Sequence, residues 1–109
     1  MKEPTKAARK HFRELAALAH ERELGKVLDE LFSEFDRWKK GEINAFELNE
    51  RIHQYHQGIS RKLWGIHVDG DPMILAARAI LEGILQREDV DERFLPDLEP
   101  TIDYFRQRE

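Results

Sequence analysis

The chain reads as all-α: a small bundle of five to six helices packed around a central apolar helix at about 72–86. Three observations carry that expectation. The run from Asp71 to Gln86, DPMILAARAILEGILQ, opens on a capping aspartate and a proline suited to a first helical turn. Behind them only Arg78, Glu82 and Gln86 interrupt the apolar circumference, and a helix apolar nearly all round is normally buried. Elsewhere, apolar residues recur in steps of three and four, the period of a helix rather than the alternation of a strand. Strand formers are also scarce, with valine only at Val27, Val68 and Val90 and threonine only at Thr5 and Thr101.

Taken in order, Thr5 can cap a first helix whose Phe12, Leu15, Ala16 and Ala19 share one face. A second stripe follows in the same helical period: Leu24, Val27, Leu28, Leu31, Phe35 and Trp38. The two stripes differ in phase, and the change falls near Gly25, where a glycine weakens a helix by about 1 kcal/mol relative to alanine. A single rod over about 5–39 is expected, touching different neighbours along its length, with 22–26 as the place for any break. Lys39-Lys40-Gly41 then reads as a helix stop, with cations at the negative end and a glycine able to take positive φ. Asn44 and Glu47 have the spacing of a capping box for the next helix, which lays Ala45, Leu48, Ile52, Tyr55 and Ile59 on one face. Gly58 is expected to end or kink that helix, and Ser60 to start a short one that turns Trp64 inward. A turn at Val68-Asp69-Gly70 leads into the central helix. After an acidic connector, REDVDERF, a final helix is expected to begin between Leu95 and Glu99 and to bury Leu98, Ile102 and Phe105.

A length of 109 residues suits one helical domain over 1–109. Charged residues make up 37% of the chain, against ~25% in average domains, so the expected core is modest and the surface heavily charged. The absence of cysteine excludes disulfides, thiol nucleophiles and thiolate metal sites, and fits a cytoplasmic protein. No apolar run reaches the ~20 residues of a membrane span. The net charge of −4 argues against a dedicated nucleic-acid binder, although the first thirteen residues are basic and the last two dozen acidic.

Four local patterns invite chemistry. Asp36 to Leu48, DRWKKGEINAFEL, resembles an EF-hand calcium loop in frame, with Asp36 first, Gly41 sixth and Glu47 twelfth. It departs from that family where Trp38 and Lys40 replace oxygen ligands, so the expectation is a helix–turn–helix joint without calcium. Glu50, His53 and His56 form E-x-x-H-x-x-H, the half-motif of di-iron bundles, but no second unit accompanies it and i+3 steps drift round the helix by ~60° each. They are the metal candidates if the protein has any. His53, His56 and His67, near Trp64 and Asp69, are the only grouping suggestive of acid–base work. Ala76, Ala79 and Gly83 form a small-residue ridge that admits a second helix closely, either the Leu24–Trp38 segment of the same chain or the same helix of a second copy.

No nucleophile motif, phosphate-binding glycine loop or dinucleotide fingerprint occurs, and no cofactor is implied. The functional expectation is therefore a cytosolic interaction or regulatory protein, bound by a protein partner or by a second copy as a homodimer, with Ala76, Ala79 and Gly83 as the contact. The alternative is a small helical enzyme or metal protein using His53, His56 and His67.

Overall fold

The computed structural model describes residues 3–108, and helix is the regular structure found among them. Helix α1 runs unbroken from Lys6 to Lys39. Helix α2 spans Ala45–Gln54 and passes through a π-helical turn, Tyr55–Ser60, directly into α3, Arg61–Asp69. Helix α4 spans Pro72–Leu81, and two short 3₁₀ turns lead to α5, Leu95–Arg106. Because α2 and α3 form one continuous rod, the described chain has four helical rods instead of five or six.

The caps form where the residue types place them. Thr5 Oγ1 accepts the Ala8 N–H at 3.1 Å, and Asp71 accepts the N–H groups of Met73 and Ile74. Asn44 and Glu47 close a reciprocal capping box, with bonds of 2.8 and 3.2 Å. Gly41 takes φ 78°, so the Gly41 and Glu42 N–H groups fold back onto the carbonyls of Trp38 and Arg37. The calcium-like frame is thereby used up as a joint: Asp36 pairs with Lys40 at 2.8 Å, and Glu47 serves the cap.

Gly83 does the same for α4. With φ 77°, its N–H reaches the Ile80 carbonyl while the Ile84 N–H reaches that of Ala79, which ends the helix at Leu81 instead of near 86. The chain then turns back and buries Leu85. Gly83 is thus a helix stop, not part of a packing ridge.

The central element is α1, not α4. At 34 residues α1 spans about 51 Å, and it packs against α2, α3 and α4, whereas α4 has only 10 residues. The phase change along α1 marks a change of neighbour. Ala8, Phe12, Leu15 and Ala19 are buried against Ala76, Ala77 and Ala79 of α4 and Leu98 and Ile102 of α5. Of the second stripe, Val27 and Leu31 face the α2–α3 rod, while Leu28, Phe35 and Trp38 stay between 37% and 46% exposed. Helix α4 is not covered all round, since Ile74 stays 40% exposed.

The acidic connector is structured through its carboxylates. Arg22 of α1 donates to both oxygens of Asp89, at 2.8 and 3.0 Å, and to the Ile84 carbonyl. Asp89 also accepts the Gln86 N–H, and together these bonds hold its carboxyl below the usual range. The Asp91 N–H donates to His11 Nε2 at 2.9 Å, tying the far side of the connector to α1. Val90 is buried between these two anchors.

The result is a lopsided molecule of 57 × 26 × 23 Å. The dense core belongs to the first half of α1 with α4 and α5. The second half of α1 and the α2–α3 rod project from it as a helical hairpin in which only Ile43, Leu48 and Leu63 are buried. The radius of gyration is 17.6 Å, against about 13 Å for a compact domain of this length.

Candidate functional site

A groove runs along each side of the hairpin. On one side Val27, Leu31, Tyr55 and Ile59 line a groove together with Glu30, Glu34, Arg51 and Gln54, with Arg51 3.5 Å from Glu34. On the other, a cleft of about 530 Å³ is lined by Arg13, Ala17 and His20 of α1 with Trp64 and Val68 of α3.

This second side continues along α1. Ala17, Leu24, Leu28 and Phe35 follow in steps of seven, four and seven, which at about 100° per residue keeps them within about 40° of one line. Phe32 lies beside that line, about 40° beyond Leu28. On α2, Ile52 is turned about 100° from Arg51, away from that first groove. Leu28, Phe32, Phe35, Ile52, Trp64 and Val68 therefore share one face, with exposures from 36% for Ile52 to 73% for Phe32.

Trp64 points outward, contrary to the sequence expectation. Leu63 takes the inward position on α3, and its neighbour one residue on is rotated by about 100°. The π turn is what lets α2 run on through Gly58 without a break; Ser60 makes no cap bond, because no new helix begins there.

At the root of the face lies a histidine pair. The rings of His20 and His67 stack in parallel with centroids 4.4 Å apart. His67 Nε2 approaches a Glu23 carboxylate oxygen at 3.5 Å, and its side chain is only 8% exposed. Its Nδ1 is buried with no hydrogen-bond partner. Burial and the neighbouring His67 both push the His20 pKa below its ordinary value, with Glu23 opposing them more weakly. The stack joins α1 to α3.

The sequence candidates fall elsewhere. Glu50, His53 and His56 are all exposed on the α2–α3 rod, and Glu50 accepts a bond from Gln54 at 3.4 Å. His67 turns to His20, 47 positions earlier in the chain, instead of to His53 or His56, so the three do not form one site. Among the described residues, no three histidine, aspartate or glutamate side chains come together as a metal-holding group. Ala76 and Ala79 are 0% and 4% exposed, buried within this chain, so the ridge expected to meet another molecule is internal packing.

His20 was missed because nothing in its local spacing marks it; only the approach of α3 gives it a partner. The apolar face was present in the second α1 stripe but read as core. Among the described residues no helix is long and apolar enough to cross a membrane. Comparison with protein-family models, curated proteins and solved structures finds no match to this chain.

Proposed function

We propose that this protein is a helical interaction module that self-associates through the exposed face of its α1/α2–α3 hairpin. The observation that carries this reading is the concentration of six large apolar side chains on one side of an extended hairpin. Single exposed apolar residues are ordinary, but a contiguous patch of this kind marks a contact surface.

The surface area supports the same reading. A compact monomer of 12.9 kDa exposes about 6,300 Å², whereas this chain exposes 7995 Å², about 1,700 Å² more. Two such chains carry an excess of about 3,400 Å², which is the size of a permanent homodimer interface at roughly 2,000–5,000 Å². The enzyme or metal reading through His53, His56 and His67 lacks comparable support, because those side chains do not share a pocket.

Thermal melting across a hundredfold range of protein concentration tests the proposal. A self-associating fold melts at higher temperature as concentration rises. The expected result is such a dependence in the parent and its loss in Phe32→Glu, whose side chain makes little contact within its own chain. A melting temperature independent of concentration in the parent would overturn the proposal.

A further inference from the structure

We propose that the face is covered by a second copy of this chain, related by a two-fold axis, with the two α1 helices antiparallel and crossing near residue 30. This rests on the self-association proposed above and adds its geometry.

Closed symmetry favours a two-fold, in which the same patch meets itself. The apolar side chains of α1 on this face, Leu24, Leu28, Phe32 and Phe35, are centred close to residue 30. An axis there sets Leu28 against the second copy's Phe32. Charge then selects the direction. Glu21 and Lys39 both flank the apolar line, on the side of Phe32, and both are exposed. An antiparallel pairing about residue 30 puts Glu21 opposite Lys39 twice over. A parallel pairing, whose two-fold runs along the helices, sends the second copies of Glu21 and Lys39 to the opposite flank at their own level and forms neither pair. Flanking charges of this kind set orientation in helix pairs.

The same register also places the ends of the hairpin. The tip of the hairpin, where Phe46 is 86% exposed, falls opposite the stretch of α1 near Ala17. That stretch lines the cleft of about 530 Å³ together with Trp64 and Val68. Each copy's tip thus lies over the root of the other, and the assembly becomes a four-rod bundle with a dense core at either end.

Cross-linking of introduced cysteines reads this directly, since the chain has no cysteine of its own. Glu21→Cys and Lys39→Cys are exposed positions, and circular dichroism checks that each variant keeps the parent's helix content. Mixed under mild oxidation, the two are expected to link to each other, while either alone stays unlinked, because the two copies of residue 21 lie about 27 Å apart along the helices. A companion measurement uses charge: Glu21→Lys and Lys39→Glu should each raise the dimer dissociation constant about fivefold, and the double variant should restore it. Self-linking of Glu21→Cys alone would overturn the antiparallel arrangement in favour of a parallel one. A dimer by sedimentation that yields no mixed link, or a charge swap that fails to restore affinity, would overturn this geometry and leave self-association standing. A parent that sediments as a monomer would overturn both.

Discussion

At the scale of single residues, glycines decide how the chain turns. Gly41 sits in left-handed backbone at φ 78°, with open space where a Cβ would stand. Its cost of substitution is therefore conformational: Gly41→Ala should lower stability by about 1 kcal/mol, read as a fall in the urea midpoint at unchanged slope. Gly70 has ordinary φ but no room. A Cβ there would lie 2.6 Å from the Ile66 carbonyl oxygen and 2.9 Å from a Leu75 methyl. Gly70→Ala should cost ~1–3 kcal/mol by forcing α3 from α4. Gly65→Ala, inside α3 with nothing near it, should instead stabilise by about 0.5–1 kcal/mol, and the same urea titration checks both. The first effect was legible in the sequence, because a stop signal followed by a cap is local. The Gly70 clash was not, since it depends on how two helices meet.

At the scale of the elements, local signals survived and directional ones did not. The caps at Thr5, Asn44 and Asp71 were readable because a cap spans three residues. The end of α4 was misplaced because a glycine late in an apolar run suits both a tight ridge and a left-handed stop; the return of Leu85 into the core decides for the stop. Glu47 shows how a motif frame can be emptied of its chemistry: its carboxylate caps α2, and Asp36 is held by Lys40. Millimolar calcium should accordingly leave the melting temperature of the protein unchanged, and a clear rise would contradict this assignment. The contact between α1 and α3 should respond to pH through His20. Burial and His67 lower its folded pKa below that of the unfolded chain, so over that interval the unfolded state binds more protons. Stability is then fully present above the ordinary histidine pKa and falls as pH drops below it toward the folded value. Urea midpoints between pH 7.5 and 5 should decline in the parent and decline less in His20→Gln; identical declines would remove His20 as the source.

At the scale of the whole molecule, the sequence disclosed a chain rich in helix with a modest core, but not where its apolar surplus would lie. Periodicity tells which residues share a face; it cannot tell whether that face is met by another part of the same chain. The stripe from Leu24 to Trp38 looked like core because such stripes normally are. Here the α2–α3 rod covers only part of it, and the small-residue ridge at Ala76 and Ala79, read as a contact for another molecule, was taken up by α1 and α5. The elongated shape and its excess of exposed surface follow from the part of the stripe left uncovered, and they motivate the central claim that this chain works by association. Sedimentation equilibrium of the parent at high micromolar concentration tests it most directly. The expected result is a mass of twice 12.9 kDa that reverts to the single chain in Phe32→Glu; a parent that holds at 12.9 kDa throughout would contradict the claim.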